Sequence, residues 1–191
     1  LDLVVLERQN QGYRDHLESA NRDLRRSLEE LRSDQQAGRK VQMKMLPDFI
    51  EDEGLSFCHK IKPSLMLSGD FLDYIPLDAN HYGFYIADVS GHGASSAFVT
   101  VLLKNLTYRL KRNLKRGSSQ DLFHPVKVLE RINQELLDTE CGKHLTIVYA
   151  VLNTETLSLN YSVGAHFPMP VLLVDGKAQY IEGRGMPVGL F

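Results

Sequence analysis

Residues 68–93 read SGDFLDYIPLDANHYGFYIADVSGHG, and the fold prediction starts from this stretch. Residues 71–77 and 82–89 are rich in apolar and aromatic side chains, and residues 78–80 between them have the composition of a turn. The stretch therefore predicts a pair of antiparallel strands. The glycines of residues 91–93 interrupt the second strand and begin a helix.

Two carboxylates stand at the open end of this predicted hairpin. Asp70 opens the first strand after Gly69, and Asp88 closes the second strand just before the glycine-rich turn. If the strands pair around residues 78–80, the two carboxylates approach each other and repel, and a divalent cation resolves that conflict. Mg²⁺ and Mn²⁺ take oxygen ligands and keep several waters, so one or two carboxylates and a carbonyl suffice. The pair indicates a metal-dependent hydrolytic site.

A reading without metal is also open for these residues. Asp70 can be a turn residue and Asp88 can cap the following helix. Asp73 lies three positions after Asp70, so the two side chains point to opposite faces of a strand. We therefore do not expect Asp73 to bind the same ion.

The N-terminal part of the chain predicts a coiled coil. Residues 13–45 lack proline and are rich in Arg, Glu, Gln and Leu, which are good helix formers. The seam residues are Leu17, Leu24, Leu31, Gly38 and Met45 on one side, and Asn21, Leu28, Gln35 and Gln42 on the other. This pattern is typical of a parallel two-stranded coiled coil of modest stability, and thus of a homodimer. A single surface helix packed on the globular part is the alternative.

The remainder of the chain predicts an α+β fold. Pro47 ends the first helix, and residues 55–61 alternate like a half-buried strand. Helices are predicted at residues 94–114 and 125–137, and strands at residues 145–152, 157–163, 171–174 and 179–181. The predicted buried stripes are Ala97, Val101, Leu102, Leu106 and Leu110 on one helix, and Val126, Leu129, Ile132, Leu136 and Leu137 on the other. We expect an antiparallel sheet with the helix pair packed against it, and two parts: a dimerisation helix (1–46) and a globular domain (47–191).

Composition narrows the functional classes. The chain has 191 residues, of which 43% are hydrophobic. Its net charge of −2 argues against general nucleic-acid affinity, which favours a strongly basic chain. No apolar run reaches transmembrane length, and no signal-peptide pattern opens the chain. The chain has only two cysteines, Cys58 and Cys141, without metal-type spacing. We do not expect them to form a disulfide, so we expect a reducing cytoplasm. Because the chain begins without methionine and stops inside an apolar run, we expect an excerpt of a longer protein.

A family resemblance rests on residues 87–93, ADVSGHG, with Asp70 and Asp73 before them and a helix after them. This pattern resembles the SpoIIE/RsbU-type branch of the metal-dependent serine/threonine protein phosphatases, relatives of protein phosphatase type 2C. Further matching segments are residues 37–47 (AGRKVQMKMLP), 145–146 (LT), 164–166 (GAH) and 185–190 (GMPVGL). The resemblance thus covers residues 37–191.

The resemblance implies a fold and a catalytic centre. The fold is an antiparallel β-sandwich flanked by helices, with its C-terminal part missing from this chain. The centre holds two Mn²⁺ or Mg²⁺ ions: Asp70 binds one, Asp88 bridges both, and the backbone carbonyl of Val89 is a further ligand. Asp70 and Asp88 are therefore the expected catalytic residues, and a metal-activated water would attack a phosphoserine or phosphothreonine in line.

The resemblance also implies a place in bacterial signalling. We expect a cytoplasmic regulatory phosphatase that acts on a phosphorylated anti-sigma-factor antagonist and so controls a sigma factor. A receiver or sensor domain is expected upstream, as in phosphatase-output response regulators, with a parallel homodimer through residues 13–45. The alternative is a catalytically inactive adaptor of the same fold, which binds a sigma factor or its regulator.

Three departures from the family pattern bear on this choice. Ser68 stands where a second glycine is common, and residues 164–166 read Gly-Ala-His in place of the more usual Ala-Gly-His. The family supplies further aspartates, one from a Thr-Asp-Gly segment, which do not occur up to Phe191: either the sequence is an excerpt that ends before them, or the domain has lost part of its site. The chain therefore holds half of the expected metal centre. His92, beside the metal turn, can be a general acid or a helix-start residue that bonds locally.

Overall fold

A computed structural model describes residues 2–52, 54–63 and 66–191 of the chain. The helices are α1 (Asp2–Met45), α2 (Ala94–Lys115) and α3 (Pro125–Asp138). The strands are β1 (Ile50–Asp52), β2 (Leu55–Phe57), β3 (Asp70–Pro76), β4 (His81–Val89), β5 (Leu145–Asn153), β6 (Ser158–Gly164), β7 (Val171–Val174) and β8 (Lys177–Tyr180). The predicted mixed fold with antiparallel sheets and a long N-terminal helix is confirmed, although the strand predicted for residues 55–61 ends at Phe57.

The central sheet is antiparallel throughout, in the order β3-β4-β5-β6. Its first two strands are the hairpin predicted from residues 68–93, and the register runs from Asp70 opposite Asp88 to Pro76 opposite Tyr82. The turn forms because the Asp78 carboxylate accepts hydrogen bonds from the backbone N–H groups of Asn80 and His81, at 2.9 and 2.8 Å.

The hydrophobic core lies between this sheet and helices α2 and α3. Its largest fully buried side chains include Phe71, Leu122, Ile132, Ile147 and Tyr149. The Tyr149 hydroxyl donates to the Leu122 carbonyl at 2.8 Å, so the polar tip of this buried ring is satisfied. The core therefore fixes both helices on one face of the sheet.

The predicted stripe on α2 is partly wrong. Ala97, Leu106 and Leu110 are buried as predicted, but Val101 is 41% exposed and its place is taken by Val99 and Leu103. The helix also buries Thr100 and Thr107, whose hydroxyls donate to carbonyls three residues earlier, Ala97 O at 2.7 Å and Lys104 O at 3.0 Å. A hydrophobic pattern treats such threonines as surface residues, so the buried face that it predicts for α2 is rotated relative to the observed one.

The same error occurs on α3. Ile132 and Leu136 are buried as predicted, whereas Val126 is 59% exposed and Val128 is fully buried instead. Leu137 also lies at the surface. Because Pro125 is itself buried at the first turn, the helix faces the sheet along 125, 128, 132 and 136 rather than along the predicted stripe.

The other face of the central sheet is covered only in part by the described residues. Phe57 of β2 stacks on Tyr74 with ring centroids 5.1 Å apart, which closes one end of this face. Ile86 on the same face is 47% exposed. The remaining strands of the described residues form the β1–β2 and β7–β8 hairpins. The predicted β-sandwich, which needs a second layer on this face, stays a prediction.

Helix α1 contacts the rest of the chain near its C-terminal end. Its leucines Leu17, Leu24 and Leu31 are 67%, 59% and 53% exposed. Gln42, which the heptad pattern places on the seam, is instead buried against the chain's own globular part. The seam prediction is therefore wrong at this residue, because an intramolecular contact occupies it.

We find no helix among the described residues with the length and apolar character that a bilayer crossing requires.

Candidate metal centre

The hairpin brings Asp70 and Asp88 directly opposite each other. The Val89 N–H donates to the Gly69 carbonyl at 3.2 Å, so the hydrogen-bonded position falls one residue away. Because these positions alternate along an antiparallel pair, Asp70 and Asp88 occupy a non-hydrogen-bonded position, where Cβ atoms lie about 5 Å apart. Both side chains are exposed at the open end of the sheet. The two carboxylates can therefore reach one ion.

Gly69 allows the backbone beside these carboxylates to approach closely. A Cβ at this position would lie 2.7 Å from the Val89 carbonyl oxygen, closer than Cβ atoms approach in proteins. This distance also locates the Val89 oxygen on the side of β4 that faces β3. By strand parity this Cβ would point towards α2, on the face opposite the Asp70 side chain, so the role of the Val89 carbonyl as a ligand stays a prediction.

The charges at this corner are unbalanced. The pKa of Asp88 is raised above its ordinary value, first by partial burial and then by the negative charge of Asp70, while His166 opposes the shift. Two like charges in this position destabilise the ionised pair, and a divalent cation removes the repulsion. The residues present therefore fit a hard cation such as Mg²⁺ or Mn²⁺.

The alternative reading of Asp88 as a helix cap is wrong. Helix α2 has Gly93 at its N-cap position, and no side chain caps the helix there. Asp88 lies within β4, five residues before the cap. Its position is therefore not explained by helix capping.

Asp73 faces away from the pair, as strand parity predicts. It is buried on the helix side of the sheet, where Lys104 of α2 donates to its carboxylate at 2.8 Å. Burial raises the pKa of Asp73, and the bond to Lys104 opposes that rise. Asp73 is thus an internal ion-pair partner, separate from the Asp70–Asp88 corner.

Sequence reasoning missed two residues that extend this corner. Thr146 of β5 lies opposite Asp88 in the register, so Asp70, Asp88 and Thr146 form one row across three strands. The Thr146 hydroxyl and His166 Nδ1 are 3.0 Å apart and share a hydrogen bond. Burial lowers the pKa of His166, and the charge of Asp88 opposes this. The row places a titratable imidazole beside the carboxylates.

The unusual Gly-Ala-His order at residues 164–166 has a local cost. Ala165 has φ +52°, a left-handed conformation that favours glycine, so this order places an alanine where glycine is less strained. Gly164 is required by packing, since a Cβ there would lie 2.8 Å from Val188 Cγ2. The family motif at residues 164–166 could have pointed to His166. The hydrogen bond between His166 and Thr146 could not be predicted from it, because the two residues are distant in sequence.

The turn after β4 is fixed by three contacts at Ser90. Its carbonyl accepts from the Ser96 hydroxyl at 3.0 Å and from Lys143 Nζ at 3.1 Å, and its N–H donates to the His144 carbonyl at 2.8 Å. His92 lies exposed on this turn. Lys143 therefore brings a cation beside the metal turn, which the sequence pattern did not indicate. The general-acid role of His92 stays a prediction.

Within residues 2–52, 54–63 and 66–191, no group of three or more His, Cys, Asp or Glu side chains is arranged to hold a metal ion. The candidate centre among these residues is therefore limited to the two carboxylates and the Val89 carbonyl, and its role as a metal centre stays a prediction.

Comparisons with known proteins identify the family that the chain resembles. A family model described as Stage II sporulation protein E (SpoIIE) matches residues 78–191, a range that contains Asp88. Phosphoserine phosphatase RsbP of Bacillus subtilis (strain 168) is 28% identical over 158 residues, which cover 80% of this chain and 37% of that protein. The chain therefore spans little more than a third of this curated relative.

Two solved structures share the fold. The SiaA-PP2C domain of Pseudomonas aeruginosa superposes with a TM-score of 0.63 at 16% identity, covering 85% of this chain and 64% of that one. The RsbU and RsbW domains of a Mycobacterium tuberculosis protein give a TM-score of 0.53 at 22% identity, covering 67% and 34%. At these identities the structures speak for the fold alone.

Proposed function

The chain belongs to the SpoIIE family of PP2C-like proteins, and from this membership and the Asp70–Asp88 pair we propose that it is a metal-dependent serine/threonine protein phosphatase. The observation that carries the proposal is the register of β3 and β4, which sets the two carboxylates opposite each other. The raised pKa of Asp88 supports it, because among the described residues no cationic side chain lies as close to this carboxylate as Lys104 lies to Asp73.

The residues that would hold the metal are Asp70, Asp88 and the Val89 carbonyl. We propose two Mn²⁺ or Mg²⁺ ions with Asp88 shared between them. When bound, such ions polarise the phosphoryl group and activate water at neutral pH. The chain's own contribution is to fix the two carboxylates on paired strands, which holds them more rigidly than a loop would.

The neighbouring residues have supporting roles in this proposal. Thr146 orients His166 through their hydrogen bond, so that the imidazole stays beside Asp88. Lys143 holds the turn after Asp88 by donating to the Ser90 carbonyl. Both contacts keep the end of β4 in a single conformation, as outer residues around metal ligands commonly do.

The proposed substrate is a phosphoserine or phosphothreonine protein of bacterial signalling. RsbP carries the name of a phosphoserine phosphatase, and the Mycobacterium tuberculosis structure combines an RsbU domain with an RsbW domain. By family resemblance, the substrate is a phosphorylated anti-sigma-factor antagonist in the cytoplasm. The exposed leucines of α1 support a parallel homodimer through residues 13–45, which would relay the state of an upstream receiver or sensor domain.

Phosphate release tests the proposal. The full-length protein with Mn²⁺ is expected to release phosphate from a phosphoserine protein, and Asp88→Asn is expected to lower the rate by at least about 100-fold. Asp175→Asn is the matched control, since Asp175 is exposed on the β7–β8 turn and should leave the rate unchanged. No release by the wild type, or an unchanged rate in Asp88→Asn, contradicts the proposal.

A second candidate is an inactive adaptor of the same fold. The absence of a third acidic or imidazole ligand among the described residues favours it. The adaptor would bind a sigma factor or its regulator without Mn²⁺ and without releasing phosphate. The two functions are separated when the release assay is combined with a binding titration of the same phosphoprotein without Mn²⁺: binding without release on addition of Mn²⁺ supports the adaptor, and release supports the phosphatase.

A further inference from the structure

Gln42 of α1 directs its side-chain amide inward, and both the nitrogen and the oxygen of that amide form hydrogen bonds. It is 5% exposed, although most of the helix around it is exposed. Its Nε2 donates to the Ser68 carbonyl at 2.7 Å and to the Thr100 hydroxyl at 2.9 Å, and its Oε1 accepts from the Ser68 N–H at 3.1 Å. One side chain thus bonds both backbone groups of a single residue.

Ser68 carries this contact to the metal corner. The Asp70 N–H donates to the Ser68 hydroxyl at 3.0 Å, and that hydroxyl lies 3.4 Å from the Asp70 carboxylate. The two-point contact from Gln42 fixes the direction of the Ser68 peptide, and Ser68 in turn fixes the start of β3. The position of the Asp70 carboxylate therefore depends on Gln42 through two short steps.

A second link runs from Gln42 to helix α2. The Thr100 hydroxyl that accepts from Gln42 donates onward to the Ala97 carbonyl, so it is fixed on the first turns of α2. In the same turn, the Ser96 hydroxyl donates to Ser90 in the loop that follows Asp88. Gln42 thus connects α1 with elements next to both candidate metal ligands.

One turn earlier on α1, Gly38 lies against Leu67. A Cβ at Gly38 would stand 3.3 Å from Leu67 Cδ2, which is tight for such a contact. Glycine therefore lets α1 approach the segment that leads into Ser68. Gly38 and Gln42 thus join the last two turns of the helix to Leu67 and Ser68.

We infer that Gln42 is a positioning residue: by fixing the Ser68 peptide it fixes the start of β3 and the Asp70 carboxylate, and so raises the affinity of the metal centre. This inference rests on the proposed function. Residues 3–34 of α1 are exposed, so the helix meets the globular part only near its C-terminal end. Because the three hydrogen bonds of Gln42 join α1 to the Ser68 peptide and to Thr100, losing them leaves the Ser68 peptide without its contact to the helix.

Gln42→Met tests the inference, because methionine keeps the length and helix propensity of glutamine but cannot form these hydrogen bonds. Gln36→Met is the matched control, since Gln36 is an exposed glutamine on the same helix. We expect Gln42→Met to weaken Mn²⁺ binding about tenfold by calorimetry, the size of effect that outer residues have on metal sites. We expect amide hydrogen exchange in metal-free protein to become faster at residues 68–70. Gln36→Met should match the wild type in both measurements.

The outcomes separate this inference from the proposed function. If folded Gln42→Met binds Mn²⁺ as tightly as the wild type, the inference is overturned, even if the variant unfolds at a lower temperature. If the wild type itself binds no Mn²⁺, the proposed function fails, and unchanged exchange at residues 68–70 would then overturn the inference by itself. Should the methionine variant not fold, Gln42→Glu replaces it, because it keeps the acceptor but loses the donor to Ser68, and the same two results decide.

Discussion

In the proposed metal centre, Asp70 and Asp88 would favour cation binding at a cost to the stability of the metal-free protein. They occupy a directly opposed position of an antiparallel pair, where like charges destabilise by roughly 0.2–1 kcal/mol. The raised pKa of Asp88 expresses the same conflict. A site that needs its cation for stability is typical of a functional position rather than a structural one.

This conflict predicts that Asp88→Asn stabilises the metal-free protein. At pH 7, without divalent cations, we expect its melting temperature to rise by about 1–2 °C over the wild type, from the loss of one like charge. With saturating Mn²⁺ the order should reverse, because the wild type gains more binding free energy than the weaker-binding variant. Differential scanning calorimetry measures both, and a lower melting temperature for metal-free Asp88→Asn contradicts the account.

The pH dependence gives this prediction its sign. Because the folded-state pKa of Asp88 lies above its ordinary value of 3.8, the folded protein binds the proton more tightly than the unfolded chain. The free energy of unfolding of the wild type therefore loses this contribution as pH rises from about 3.8 through the folded-state pKa. The higher stability of Asp88→Asn should be present at neutral pH and absent below pH 3.8, where the Asp88 carboxyl is protonated and, like the asparagine that replaces it, carries no charge.

The sequence sufficed for the carboxylates and not for their surroundings. Asp70, Asp88 and Asp73 lie on one hairpin, so strand parity and a local turn place all three. Thr146, His166 and Gln42 reach the same corner through contacts between elements that are distant in sequence. No local pattern specifies such contacts, which depend on how the sheet and helices pack.

The helices show why a hydrophobic pattern locates an element better than its buried face. The bounds of α2 and α3 agree with the predicted segments to within a residue or two. Their faces are rotated, because Thr100 and Thr107 satisfy their hydroxyls within α2 and so can be buried. Gln42 makes the same point on α1, since a polar seam residue proved to be a buried intramolecular contact.

Helix α1 carries its own prediction. An isolated helix of this kind is marginal in water without a packed face, and its exposed leucines offer one. We expect residues 1–191 to be dimeric at tens of micromolar, and Leu24→Glu to shift the chain to monomer by placing a charge on the seam. Sedimentation equilibrium measures this. Ser33→Glu, on the outer face of the heptad, should remain dimeric, and a monomeric wild type contradicts the coiled coil.

At the scale of the whole molecule, helix α1 contacts the segment that leads into the candidate metal centre. Helix α1 contacts the domain through Gly38 and Gln42, which border the segment leading to Asp70. In the sheet, Asp70 lies in one row with Asp88 and Thr146 on the neighbouring strands. The antiparallel sheet with two helices on one face was predictable from periodicity and turns, whereas a second layer on the other face was predicted only by resemblance.

Mn²⁺ binding tests the central claim most directly. Calorimetric titration of the wild type should show Mn²⁺ binding that weakens at least about tenfold in both Asp70→Asn and Asp88→Asn, since each removes a charged ligand. Asp175→Asn should bind as the wild type does, because Asp175 lies on the exposed β7–β8 turn and asparagine accepts its positive φ. Equal Mn²⁺ affinity in the wild type, Asp70→Asn and Asp88→Asn would contradict the assignment of this corner as the metal centre.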